Sequence, residues 1–188
     1  MDRASDDRQR LPRAEARHSH RRRWRWRWRN YSITGIAGLT LLAGQCAPQQ
    51  CAPAPPSATA PAAVQQVVDL TNQRRAERGL PALAVNQALM NAAQGHSADQ
   101  AARDWMGHQG SDGSRAGDRI EGQGYVWLAW GENVAMGYPD AVSVMGGWMG
   151  SDGHRANILN ATFTEIGVGL AYAADGTPYW TQDFARPG

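Results

Sequence analysis

The stretch E-I-G-V-G-L-A-Y, residues 165–172, decides the fold because two classes of side chain alternate along it. Large apolar residues are separated by glycine or alanine, and this period of two is typical of a β-strand with one apolar face. Asp175-Gly176 then supplies a hairpin turn, and residues 179–181 supply aromatic and β-branched side chains for a second strand. The C-terminal part of the chain is therefore predicted to form a β-hairpin.

Upstream of the hairpin, apolar residues recur at helical spacing. Residues 64–78 predict a first helix, and Asn86 is predicted to be the N-cap of a second helix that runs to about Asp104. Pro139 is predicted to lie in the first turn of a third helix, and residues 125–129 indicate a further strand. Helices in the front and middle of the chain, with antiparallel pairing at its end, indicate an α+β layered domain.

Charge is distributed unevenly along the 188 residues. Residues 1–29 contain eleven arginines and four acidic residues, while the rest of the chain contains eight arginines and thirteen acidic residues. The part expected to fold is therefore acidic, and the overall basic balance does not indicate a nucleic-acid partner. Both cysteines, Cys46 and Cys51, precede that part, which excludes a thiol nucleophile, an internal disulfide and a cysteine-based metal site from it.

The first 63 residues are interpreted as delivery segments. Residues 1–45 are predicted to be an export signal, because an Arg- and Trp-rich segment precedes the apolar stretch 33–44. As a helix that stretch would cover about 18 Å, which is too short for a bilayer core of about 30 Å. Residues 46–63 have the Pro- and Ala-rich composition of a linker. The folded domain is therefore predicted to comprise residues 64–188.

The sequence L-L-A-G-Q-C, residues 41–46, looks like a bacterial lipoprotein processing site, although Gln45 departs from the usual pattern. Lipidation of Cys46, ordinary signal cleavage and an uncleaved anchor all stay open, so the expected location is the periplasm, the membrane surface or the outside of the cell. The R-W-R-W-R-W-R run at 23–29 suits an anionic membrane if it survives processing, but ordinary export signalling is the simpler interpretation.

Three polar segments carry the candidate site: G-H-Q-G-S-D-G-S at 107–114, G-E-N at 131–133 and W-M-G-S-D-G-H-R-A-N-I-L at 148–159. They contain His108, Glu132 and His154. Two imidazoles and a carboxylate, brought together from separate segments, are the usual components of a metal site or an acid/base site.

Together with L-x-x-A-x-x-x-H-S-A-D at 89–99, G-Y-x-W at 124–127 and E-I-G-V-G at 165–169, these blocks resemble the bacterial SCP-like branch of the CAP superfamily. That superfamily comprises cysteine-rich secretory proteins, antigen five and plant pathogenesis-related proteins. The resemblance covers residues 64–184 and implies a three-layer α-β-α sandwich with a surface cleft. In that cleft two histidines and two acidic residues are expected to meet.

His108, Glu132 and His154 match three of those four family positions. The fourth, an acid shortly after the tryptophan in many animal members, has no clear counterpart, and Asp152 is the candidate substitute. Neutral imidazoles suit Zn²⁺ or another divalent cation, so His108 and His154 are candidate ligands of a labile site. The alternative is that both histidines only orient loops through hydrogen bonds to backbone or to Glu132.

The neighbours of these residues are expected to have structural roles. His96 and Ser97 are adjacent on a helix and diverge by about 100°, so they are predicted to pack or to support a cap rather than to form a dyad. Asn133, at the mouth of a loop, is expected to bind backbone, and Glu132 to accept a hydrogen bond from an imidazole. Asp118 and Arg119 are predicted to form a pair that fixes a loop.

The tryptophans divide into two groups. Trp148 is predicted to lie in the core. Trp127, Trp130 and Tyr138 form either a stacking wall for a sugar or apolar ligand, or a cover over the sheet.

Three functions are compatible with these features. The first is an exported cell-envelope domain that acts as a binding or interaction module for a lipid, glycan or protein ligand. The second is a metal-assisted hydrolase of peptide or cell-wall material, with Glu132 as the base. The third is a membrane-active defence protein that depends on the Arg/Trp-rich arm.

Overall fold

The predicted hairpin lies at the centre of a four-stranded sheet. The computed structural model describes residues 60–188, so the export signal, Cys46, Cys51 and nearly all of the linker lie outside the described residues. The elements are α1 (Ala60–Ala76), β1 (Ala84–Val85), α2 (Gln87–Arg103), α3 (Ala116–Gly122), β2 (Trp127–Met136), α4 (Ala141–Met149), α5 (Asp152–Ile158), β3 (Glu165–Tyr172) and β4 (Pro178–Pro187). None of the helices in residues 60–188 has the length and apolar character needed to cross a bilayer.

The sheet has the strand order β1-β3-β4-β2. Strands β3 and β4 pair antiparallel, with Tyr172 opposite Pro178, and Gly176 adopts a positive φ of 86° in the turn between them. The hairpin prediction is therefore confirmed. Strand β2 pairs antiparallel with β4 and forms one edge of the sheet, while the short β1 pairs parallel with β3 at the other edge.

Helices cover both faces of the sheet. On one face, α1, α4 and α5 enclose the larger core, whose most buried members include Val67, Val144, Trp148, Ile158, Ile166, Val168, Trp180 and Phe184. On the other face, α2 and α3 enclose a smaller core of Leu89, Ala92, Ile120, Tyr125 and Ala185. This arrangement is the expected three-layer α-β-α sandwich, and Trp148 is buried as predicted.

The glycines of β3 allow α2 to approach the sheet closely. A Cβ on Gly167 would lie 2.1 Å from the carbonyl carbon of Leu89, and one on Gly169 would lie 2.3 Å from the carbonyl oxygen of Ala93. Both contacts are with helix backbone, which cannot move aside as a flexible side chain can. The alternation that predicts the strand therefore also creates the groove in which α2 packs.

Most helix boundaries fall near their predicted positions. Helix α1 begins at Ala60, four residues before the predicted start of the domain. Asn86 caps α2 as predicted, because its side-chain oxygen accepts hydrogen bonds from two N–H groups of the first turn. Pro139 does not lie in the first turn of α4, since Asp140 is the N-cap and accepts a hydrogen bond from the Ser143 N–H at 2.7 Å.

Strand β2 differs most from expectation. It extends over Trp127–Met136 instead of residues 125–129, so Glu132 and Asn133 lie inside a strand and not at the mouth of a loop. The local sequence did not indicate this because G-E-N is polar and interrupts the apolar pattern. Tertiary hydrogen bonds to both side chains make their burial tolerable.

Replacing Gly167 by alanine should destabilise the domain, because the added Cβ must displace the backbone of α2. Overpacking of this kind costs about 1–3 kcal/mol or more in free energy of unfolding, measured by urea denaturation. Gly95→Ala is the matched control, since Gly95 lies exposed in α2 and the position that its Cβ would take has nothing within 4 Å. The Gly95→Ala substitution should stabilise α2 by about 0.5–1 kcal/mol. Equal effects of the two substitutions would contradict the close approach.

Candidate functional site

Glu132, on β2, is the centre of the site. Its Oε1 accepts a hydrogen bond from His108 Nδ1 at 2.8 Å, its Oε2 is paired with Arg119 Nη2, and the same oxygen lies 3.7 Å from His96 Nε2. The glutamate side chain is only 2% exposed. A buried carboxylate is stable only when charge and hydrogen bonds compensate the lost hydration, and these contacts supply that compensation. The predicted hydrogen bond from an imidazole to Glu132 is confirmed.

Arg119 joins the His108 loop to the sheet. Besides the pair with Glu132, its Nη1 donates to the backbone carbonyls of His108 at 3.2 Å and Ser114 at 3.1 Å. It does not pair with Asp118 as predicted, because Asp118 accepts a hydrogen bond from the Arg115 N–H at the start of α3. Adjacent helical positions point about 100° apart, so each residue fixes a different part of the loop.

One face of α2 holds the same loop from the other side. His96 Nε2 donates to the Gly107 carbonyl at 2.8 Å, and Gln100 Oε1 accepts from the Gly107 N–H at 3.1 Å. Asp99 Oδ2 accepts from the Ser111 N–H at 3.0 Å. These side chains are three or four positions apart and therefore lie together on the helix. The predicted supporting role of His96 is confirmed, and Ser97 packs in the interior with its hydroxyl donating to Thr181.

The pKa values of His96, His108 and His154 are shifted in different directions. The hydrogen bond to Glu132 raises the pKa of His108, whose side chain is 63% exposed. Burial lowers the pKa of His96, so its ring is neutral with the proton on Nε2. Burial also lowers the pKa of His154, and the charge of His108 lowers it further.

Amide side chains attach the His154 segment to β2. Asn133 Nδ2 donates to the His154 carbonyl at 3.2 Å, as predicted for an asparagine that binds backbone. Asn157 Nδ2 donates to the Glu132 carbonyl at 3.1 Å and to Asn133 Oδ1 at 2.9 Å. The G-E-N and H-R-A-N blocks therefore form one hydrogen-bonded unit. Sequence spacing alone does not show this link.

An open cleft of about 530 Å³ lies against this unit, and the residues that line it are His108, Gln109, Arg115, Ala116, Trp130, Gly131, Glu132 and Asn157. Of the three aromatic residues predicted to form a stacking wall, Trp130 lines the cleft. Trp127 makes an edge-to-face contact with Trp130 but is not a lining residue of the cleft. Tyr138 does not line the cleft either, and it packs against Gly147 of α4.

Asp152 does not join the other candidate residues. It is the first residue of α5, its side chain is 95% exposed, and it pairs with Arg155. The carboxyl group that lies beside Glu132 belongs to Asp183 on β4, which is the direct cross-strand neighbour of Glu132. Asp152 fails as the fourth member because the first turn of a short surface helix directs its side chain into solvent.

Asp183 was missed by sequence reasoning, which followed the last strand only to Thr181. The residue is fully buried, and neither carboxyl oxygen has a hydrogen-bond partner within residues 60–188. Burial raises its pKa well above the usual value, and the charge of Glu132 raises it further. Burial and the neighbouring carboxylate thus both favour the protonated form of Asp183. Its position two residues after Thr181, on the same face of a strand, was the available signal.

The donor set limits what metal the site could hold. Across residues 60–188, no group of three or more His, Cys, Asp or Glu side chains is arranged to hold a metal ion. Glu132 is engaged by His108 and Arg119, which leaves two candidate nitrogen ligands: His108, which lines the cleft, and His154, which is not among the lining residues. Such a pair fits a labile, exchangeable site and does not fit a structural zinc site with four protein ligands.

Comparison with known proteins identifies the family. A family model described as "CAP: Cysteine-rich secretory protein family" matches residues 68–184. The chain is 38% identical over 120 residues to "Uncharacterized protein YkwD" of Bacillus subtilis, an alignment that covers 64% of this chain and 46% of that protein. The chain thus spans less than half the length of that relative.

Two solved structures have the same fold. An extracellular protein containing a SCP domain from Bacillus anthracis is 37% identical, with a TM-score of 0.60, and the match covers 66% of this chain and 40% of that one. An outer surface protein from Borrelia burgdorferi is 17% identical, with a TM-score of 0.63 and coverage of 67% and 93%, and this likeness concerns the fold alone. The sandwich, the ordered sequence blocks and the family match agree: the chain belongs to the CAP family of cysteine-rich secretory proteins.

Proposed function

We propose that this protein is an exported, cell-envelope binding module whose cleft presents His108 to a ligand or a divalent cation. The bond between His108 Nδ1 and buried Glu132 carries the proposal. With Nδ1 donating to the carboxylate, the neutral ring has its lone pair on Nε2. A carboxylate that orients an imidazole in this way is the usual support for a metal-binding histidine.

His154 is the second imidazole available to a cation such as Zn²⁺. When bound, such an ion supplies Lewis-acid chemistry and attracts anionic or carbonyl ligands. Two protein nitrogens leave coordination positions for water or ligand, which supports a weak and exchangeable site. Burial raises the pKa of Asp183, which disfavours a second negative charge beside Glu132.

The geometry favours binding over metal-assisted hydrolysis. A general base must be reached by water, whereas the Glu132 side chain is only 2% exposed and its oxygens already contact His108 and Arg119. The carboxylate therefore serves as an anchor for His108 and Arg119. The solvent-exposed His108 ring, held in a fixed position, suits the recognition of a ligand.

Export is supported by the Bacillus anthracis neighbour, which is described as extracellular, and by the predicted signal in residues 1–45. Lipidation of Cys46 would retain the domain at the membrane surface. A membrane-active role requires the Arg/Trp-rich segment at 23–29 to remain in the mature protein. Signal removal by either route would discard that segment and leave the binding domain.

Zinc titration by calorimetry tests the cation site. The purified protein should show saturable binding that weakens at least about tenfold in His108→Ala and in His154→Ala, because each removes one of two nitrogen ligands. Glu132→Gln should also lose about tenfold, through the orientation of His108. Asp152→Asn is the matched control and should bind as the parent does, since its side chain points into solvent. Absence of heat in the parent rejects the cation site.

The protonation of His108 tests the hydrogen bond on which the proposal depends. Because Glu132 stabilises the imidazolium, His108 should titrate above the usual value of about 6.5 in an NMR titration, and Glu132→Gln should lower that pKa. The raised pKa stabilises the fold fully below about pH 6.5, and this contribution is lost as the pH rises through the folded-state pKa. His108→Gln should therefore cost more stability at about pH 5.5 than at about pH 8.5. An unshifted His108 would contradict the geometry.

Mass spectrometry of the mature protein from its native host tests the delivery model. A chain that begins at lipid-modified Cys46 supports membrane attachment, and Cys46→Ser should then abolish the added mass and release the protein into the soluble fraction. Cys51→Ser is the matched control and should leave processing unchanged. A mature chain that still contains residues 23–29 would instead support the membrane-active alternative.

A further inference from the structure

Trp130 is an aromatic platform on the wall of the cleft. Its residue surface is 37% exposed, although it lies in the middle of strand β2. Trp127 contacts it edge-on, with ring centroids 6.3 Å apart and an interplanar angle of 79°. Gly117 of α3 is so near that a Cβ there would lie 2.7 Å from Trp130 Nε1. The indole is therefore held in one orientation while part of it faces the cleft.

Planar polar groups surround this platform. Gln109 and Asn157, which carry side-chain amides, and Arg115, which carries a guanidinium, line the cleft beside it. Asn157 directs its Nδ2 hydrogens into the domain, towards the Glu132 carbonyl and Asn133, which fixes the orientation of the amide. A rim of amide and guanidinium groups around an indole face matches a pyranose ring, which has C–H groups on its faces and hydroxyls around its edge.

The charge of the cleft indicates the kind of sugar. Residues 60–188 contain eight arginines and thirteen acidic residues, so the domain as a whole is acidic. Within the cleft, Glu132 is compensated by Arg119 and is almost fully buried. Arg115 is exposed and has no ion-pair partner anywhere in residues 60–188. The cleft therefore presents an uncompensated positive charge on an acidic domain, which favours an anionic ligand.

We propose that the cleft binds an acidic glycan, with a pyranose ring stacked on Trp130 and its carboxylate paired with Arg115. This inference rests on the proposed binding function and specifies its ligand class. The fixed indole supplies the stacking face, the guanidinium supplies a charge-assisted hydrogen bond, and the amides of Gln109 and Asn157 supply partners for hydroxyls. The glycan needs no metal ion, because none of these groups is a candidate metal ligand.

The test is a titration with trigalacturonic acid, and its fully methyl-esterified form serves as the neutral probe. Binding is followed by tryptophan fluorescence and calorimetry in the presence of a chelator, so that failure here leaves the zinc measurement unaffected. The acid should bind at least about tenfold more tightly than the ester, because only the acid forms the charge-assisted bond. Equal affinities, or no binding of the acid, would overturn the proposal.

Variants separate the two contacts. Trp130→Ala should weaken binding of both probes by about tenfold or more, and Trp130→Phe, which preserves an aromatic face, should recover part of the loss. Arg115→Gln should reduce the affinity for the acid to that for the ester and leave the ester unaffected. Tyr172→Ala and Arg78→Gln are matched controls, since both residues are exposed and neither lines the cleft.

A third probe distinguishes charge alone from sugar recognition. Pentaglutamate carries carboxylates without a pyranose ring and should bind more weakly than trigalacturonic acid. If it binds as tightly, or if the Trp130 variants bind the acid like the parent while remaining folded by circular dichroism, the site recognises anionic peptide or charge in general. Either outcome would refute the glycan assignment.

Discussion

The buried carboxylate of Glu132 is the constraint on which the rest of the site depends. Removing a carboxylate from water is costly, so the fold must surround it with donors. Arg119 supplies the countercharge and His108 supplies a hydrogen bond. Because Arg119 also binds two carbonyls of the His108 loop, the requirement to compensate one charge also determines where that loop lies. The contacts that stabilise the buried charge are thus the same contacts that determine the geometry of the site.

Asp183 adds a second buried carboxyl group to the sheet, directly opposite Glu132. It lies between Gly167 of β3 and Glu132 of β2, under helix α2, in an interior that gives it no hydrogen-bond donor within residues 60–188. Two neighbouring buried carboxyl groups cannot both ionise at low cost, so one retains its proton. Arg119 and His108 stabilise the negative charge on Glu132, whereas burial raises the pKa of Asp183.

Local sequence patterns predicted those parts of the fold that depend on neighbouring residues. The hairpin, the Asn86 cap and the burial of Trp148 each follow from periodicity or from a short-range hydrogen bond. The strand position of Glu132 did not follow, because its burial is made tolerable by partners 13 and 24 residues away. Asp183 was missed because the predicted strand ended at Thr181, and only the assembled sheet shows that its neighbour is Glu132.

The order of the contacts around His108 supports the proposed binding function. The backbone around His108 is fixed by α2 on one side, through His96 and Gln100, and by Arg119 on the other. His108 and Trp130 line the cleft together with Gln109, Arg115 and Asn157. Binding gains most when contact groups are already ordered, because less conformational entropy is lost on association. The engaged carboxylate of Glu132 supplies that order to the His108 ring and, through Arg119, to the loop that carries it.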